Sequence, residues 1–111
     1  MCLFTIDRKK QMTITKGDTA FFDVTISNYE FVEGDILYFT VKEDVNSDKN
    51  VIQKKVTEFD KNVAKIVLSI SDTNIDLGSY VYDIQLSLSD GRVDTVMLPT
   101  KFEVIAGVTH D

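Results

Sequence analysis

Apolar and polar residues alternate along most of the chain with a period of two, not the 3.6 of a helix. The clearest run is Tyr80 to Ser89. Tyr80, Tyr82, Ile84, Leu86 and Leu88 fall on one side; Val81, Asp83, Gln85, Ser87 and Ser89 fall on the other. Thr19–Ser27 repeats the pattern, with Phe22, Val24 and Ile26 opposed to Asp23, Thr25 and Ser27. Val63–Ser71 does so again, with Ala64, Ile66, Leu68 and Ile70 expected to face inward. Such alternation predicts strands with one face on a core and one in water. Ile36–Glu43 differs because Leu37, Phe39 and Val41 oppose Ile36 and Tyr38, so a strand covered on both faces is expected there. Val51–Phe59 carries Lys54 and Lys55, which suit a sheet edge, where charge discourages unwanted pairing. Shorter strands are expected at Leu3–Ile6, Met12–Lys16, Val93–Leu98 and Lys101–Gly107, with Pro99 marking a kink or an edge.

Turn residues separate these runs. Gly17 follows Lys16, Gly34 precedes Asp35, and Ser89-Asp90-Gly91-Arg92 closes a hairpin. Asp60-Lys61-Asn62 reads as a tight turn with Asn in the left-handed conformation, and Asp44–Asn50 as an exposed loop. Asp72 is placed to cap a single helical turn that Gly78 would end. Seven or eight strands result, and without long helical patterns there is no crossover unit for a parallel sheet. An all-β, antiparallel β-sandwich is expected, with a small β-barrel as the second choice. The segment Leu77-Gly78-Ser79-Tyr80 points to the immunoglobulin-like form. A Tyr entering a long strand just after a Gly resembles the tyrosine corner, whose ring packs on the core while its hydroxyl bonds a backbone group in the preceding connection.

The 111 residues suit one domain, 11–107, preceded by an arm or extra strand at 1–10 and followed by a tail at 108–111. The net charge is −6, and Arg8-Lys9-Lys10 is the only basic cluster, so neither nucleic acid nor an anionic membrane surface is an expected partner. No apolar stretch approaches the ~18 residues of a membrane span, and the N-terminus lacks signal-peptide order. Folding in a cytosol follows as the expectation. Cys2 is the only cysteine and His110 the only histidine, so a Cys–His pair would require the two termini to meet; two frayed ends are the expected state.

Catalytic chemistry has little to stand on. There is no Ser/His/Asp set, nucleophile elbow or zinc-type histidine pair, so neither an enzyme nor a bound cofactor is expected. Most of the 18 acidic residues sit in turns, which Asp favours for its own reasons. Calcium held by Glu33, Asp35 and Asp90 is the weaker alternative, since their spacing matches no dedicated calcium loop. Two aromatic residues stand out as possible partner contacts. Phe21 precedes Phe22, so one of the two must face outward, and a patch shared with Leu37 or Phe39 would call for a partner. Tyr29 lies in a connection where it could serve a ligand or a partner, while Phe31 is expected to plug the end of the domain.

Three segments together carry a resemblance: "ITKGDTAFFDVTI", "FVEGDILYFTVKED" and "DTNIDLGSYVYDIQLSLSDGRVDTVMLPTKFEV". In this order they resemble small immunoglobulin-like virion proteins of bacteriophages and prophages, such as the N-terminal domain of baseplate upper proteins of Gram-positive phages. The likeness spans roughly Met12 to Ile105 and rests on fold-making residues: Gly17, Gly34, Gly78, Tyr80, Asp90 and Gly91. It implies a non-enzymatic structural module that contacts other virion proteins or itself. It also implies residence in the host bacterial cytoplasm during assembly and in the virion afterwards. Baseplate upper proteins continue into further segments, so a smaller tail or accessory role fits equally well. A carbohydrate- or ligand-binding β-sandwich is the alternative from the residues themselves.

Overall fold

A computed structural model describes residues 5–6, 11–26 and 29–107. The chain runs β1 (Thr5–Ile6), β2 (Met12–Thr15), β3 (Ala20–Thr25), β4 (Ile36–Lys42), β5 (Asn50–Val56), β6 (Val63–Leu68), α1 (Ile70–Thr73), β7 (Gly78–Ser87) and β8 (Val93–Ile105). It is an all-β protein with one helical turn. Six strands form a curled sheet in the order β1-β2-β8-β7-β4-β5, and β3 and β6 form a second sheet of two. Of the N-terminal arm and the C-terminal tail set apart in the sequence, only Thr5–Ile6 and the Gly107 boundary lie among the described residues; Thr5 and Ile6 pair with Thr13 and Met12 of the same chain. Cys2 and His110 lie outside the described residues. No helix among the described residues is long and apolar enough to cross a membrane.

Alternation decides which faces meet. Phe22 and Val24 of β3, Ala64, Ile66 and Leu68 of β6, and Tyr80, Tyr82, Ile84 and Leu86 of β7 all turn into one core. Leu37, Phe39 and Val41 come from β4, which lies between β7 and β5. Phe39 is fully buried at the centre, its ring 5.4 Å from Phe22 of the smaller sheet, 5.5 Å from Tyr82 and 6.2 Å from Phe102. The inward faces of both sheets therefore share a single aromatic cluster.

Two features lie beyond local pattern. The expectation of wholly antiparallel pairing is corrected at one place: β2 runs parallel to β8, pairing Met12–Thr15 with Phe102–Ile105, while neighbouring strands elsewhere are antiparallel. The partners are separated by nearly the whole chain, so no hairpin has to join them. β8 also changes register against β7 between the pairs Tyr82–Thr100 and Ile84–Met97. Pro99 falls in that irregular stretch, where a residue without an N–H costs the ladder least.

Three local expectations are corrected. Ile70 does not face inward: β6 ends at Leu68, Ser69 caps α1, and Ile70 is 61% exposed on the first helical position. Asp72 does not start the helix but completes a capping box, accepting from the Ser69 amide at 2.7 Å while the Ser69 hydroxyl accepts from the Asp72 amide at 3.3 Å. In the turn before β6 it is Lys61, at φ 58°, and not Asn62 that takes the left-handed conformation. Asn62 is held instead by the residue just after β3: its carbonyl accepts from the Ile26 amide and its side-chain amide donates to the Ile26 carbonyl.

Tyr80 enters β7 with its ring buried, and its hydroxyl donates to the Asp76 carbonyl at 2.6 Å. Burial raises the pKa of that hydroxyl, with Asp76 and Glu43 adding to the effect. Tyr80→Phe keeps the ring and removes one hydrogen bond, so a loss of about 0.5–2 kcal/mol is expected in denaturant unfolding. An unchanged midpoint would show that the bond contributes nothing to the corner.

Candidate interaction surface

One end of the domain gathers the β3–β4 connection and the β7–β8 turn. Asp35 lies between them and is almost wholly buried. One carboxylate oxygen, Oδ2, accepts from the Tyr29 hydroxyl at 2.5 Å and the Val32 amide at 2.9 Å, and Oδ1 accepts from the Ser89 amide at 2.9 Å. The side chain thus closes its own loop and ties that loop to a turn 54 residues away. Burial pushes the Asp35 carboxyl up, but the hydrogen bonds from Tyr29, Val32 and Ser89 outweigh it and hold the group below the usual carboxylate range. Tyr29 moves the other way: its hydrogen bond to Asp35, aided by burial and the nearby charges of Asp35 and Asp90, raises it to about 12.

Gly34 is what lets the two segments approach. It sits at φ 99°, and a Cβ there would lie 2.9 Å from the Ser89 Cβ, so both the backbone conformation and the space require glycine. Gly91 occupies the β7–β8 turn at φ 95°, where Asp90 accepts from the Arg92 amide and from its Nε at 3.0 and 2.9 Å. Gly17 turns the chain between β2 and β3, and Gly78 opens β7. The six residues that carried the resemblance therefore lie in turns, at a loop junction or at the start of a strand.

Of the three acidic residues weighed for calcium, Asp35 and Asp90 are otherwise employed, and Glu33 is exposed. Both oxygens of Asp35 are taken by protein donors, and Asp90 is engaged by Arg92. Among the described residues no three His, Cys, Asp or Glu gather to hold a metal ion. Tyr29 is half-buried, with its ring edge-on to Phe31 at 5.8 Å, and Phe31 stacks on Phe59 at 3.9 Å. These rings cover the end of the core and do not form a projecting strip.

The other candidate lies on the outer face of β3 and β6. Phe21 is 58% exposed and stands directly across from Val67, itself 55% exposed. Leu37 and Phe39 do not share this face, because both are fully buried in β4. Lys65 holds its ammonium 5.2 Å from the Phe21 ring centroid, and Asp23 pairs across the strands with Lys65. The face is thus a short apolar row beside a locally neutral charged one.

Sequence reasoning missed Asp35 as a buried acid and Val67 as the neighbour of Phe21. The outward direction of Val67 was legible, since in Val63–Leu68 the alternation that buries Ala64, Ile66 and Leu68 puts two valines on the opposite side, but its place beside Phe21 was not. Asp35 had no such signal, since a loop Asp beside Gly looks the same whether solvated or buried. No family model matches the sequence, and no curated protein matches it.

Proposed function

We propose that the chain is a non-enzymatic structural or assembly module of a phage or prophage virion, a tail, baseplate or accessory protein that works through protein–protein contacts. We read its two sheets as the layers of an immunoglobulin-like sandwich, with the Tyr80–Asp76 bond as its corner. The observation that carries the contact role is the exposed Phe21–Val67 row, large apolar side chains set together on a strand face and flanked by charge. The virion assignment draws on the three resembling segments. The carbohydrate- or ligand-binding alternative has less support, because Tyr29 commits its ring to Phe31 and its hydroxyl to Asp35.

Mass spectrometry of density-purified particles induced from the source strain tests the role. The chain is expected to co-purify with the particles in amounts comparable to known tail components. Confinement to the particle-free lysate would overturn the virion reading.

A further inference from the structure

The smaller sheet has an unusual edge. In the β3–β6 ladder the pairs sum to one register, and the Ile26 amide donates to the Asn62 carbonyl at 3.0 Å in that same register. Hydrogen-bonded pairs in an antiparallel ladder recur every second residue. The bonded pairs are therefore Val24–Ala64, Phe22–Ile66 and Ala20–Leu68. The N–H and C=O groups of Phe21, Asp23 and Thr25 then point away from β6, and among the described residues no strand pairs with that side of β3.

This edge is lightly defended. β5, an outer strand of the larger sheet, carries Lys54 and Lys55. β3 has no lysine, no proline and no register shift; Asp23 is its one charge, and it places Phe21 outward. A regular, partly apolar edge with a single charge is a template for another strand in any register that keeps that charge from meeting its like.

We propose that β3 pairs antiparallel with β3 of a second copy, joining two two-stranded sheets into one of four across a twofold axis. The edge is self-complementary in one register. With Phe21 opposite Phe21 of the second copy, Asp23 meets Thr19, the residue that leads into β3, and the outward N–H and C=O groups of Phe21 and Asp23 face the second copy. Val67, Phe21 and their two counterparts then form one apolar row across the axis, since Val67 already stands beside Phe21. Shifting the register to put Asp23 opposite its counterpart would oppose like charges, which is unfavourable. In the chosen register each Asp23 lies between a threonine and its own Lys65, so the net charge of −6 per chain is not concentrated at the seam. Isologous pairing of this kind closes as a dimer and does not extend into a fibre. The dimer names a partner for the assembly role proposed above and rests on that role for its purpose; the geometry of the edge is independent of it.

The test is solution mass by light scattering over a concentration series, with hydrogen exchange of the β3 amides read in parallel. The wild-type chain is expected to move from monomer to dimer, with the Phe21 and Asp23 amides gaining protection as it does. Phe21→Lys is expected to raise the dimer Kd by at least about tenfold. Asp23→Pro is expected to do the same, because it removes an outward N–H that the β3–β6 ladder does not use; its thermal unfolding checks that the fold survives, and Phe21→Lys decides if it does not. A monomer at every concentration, or an oligomer whose Kd both folded variants leave unchanged, would overturn the proposal. A chain found in particles but monomeric in solution sinks only the edge pairing; a dimer absent from particles sinks only the virion role.

Discussion

Phe39→Ala is expected to lower stability by about 3–5 kcal/mol, a drop of roughly 10–20 °C in the midpoint of thermal unfolding. The size follows from position. Phe39 has no exposed surface, and its ring meets Phe22 on the smaller sheet as well as Tyr82 and Phe102 on the larger one. Truncation removes the transfer free energy of the ring and leaves a cavity between strands that backbone ladders hold in place. Phe39→Leu is expected to recover a large part of the loss, because it refills most of that volume. Circular dichroism melts of the two variants distinguish this from a surface effect: equal midpoints for wild type and Phe39→Ala would mean that the ring does not join the sheets.

Asp35→Ala is expected to cost about 2–4 kcal/mol and to change the response to acid. The substitution leaves the Val32 and Ser89 amides and the Tyr29 hydroxyl without their acceptor at a part-buried junction and unties two loops. The acid response has a definite sign. The Asp35 carboxyl sits below its ordinary value in the folded state, so its contribution is complete above the unfolded pKa of about 3.9 and is lost as pH falls from there through the lower folded value. Asp72 is depressed as well: burial raises it, but Lys54 at 2.6 Å and Ser69 outweigh that, so it adds to the same limb. The wild-type unfolding midpoint should therefore fall below about pH 4, and Asp35→Asn, which cannot titrate, should flatten that fall while costing stability at pH 7. Parallel slopes for wild type and Asp35→Asn below pH 4 would show that Asp35 titrates alike in both states and does not clamp the loops.

The Asp35 and Phe21 sites differ in how far sequence could reach them. Phe21 was legible as one of two adjacent aromatics on a strand, since successive side chains must take opposite faces. Its neighbour was not, because the pairing of β3 with β6 is set across a long separation in sequence. The helical turn shows the same division. Ser69 and Asp72 stand at capping-box spacing, a local signal, and the box takes over where the β3–β6 ladder ends at Leu68.

Strand content and the inward faces of β3, β6 and β7 were legible in the sequence alone, because a period of two is a local property that any core must respect. Also legible were the buried ring of Tyr80 with its hydroxyl bonded to the preceding connection, and the glycine turns, where backbone conformation depends on a few neighbouring residues. The edge position of β5 was legible from Lys54 and Lys55, but which acid is buried, that β3 becomes an edge, and that β2 lies parallel to β8 depended on the tertiary structure. Each of these depends on how distant parts of the chain come together: Ser89 meets Asp35, Phe102 meets Met12, and no strand among the described residues pairs with the outer side of β3. Local pattern fixes the direction of a side chain, whereas the partner it meets is set by how the sheets close on one another.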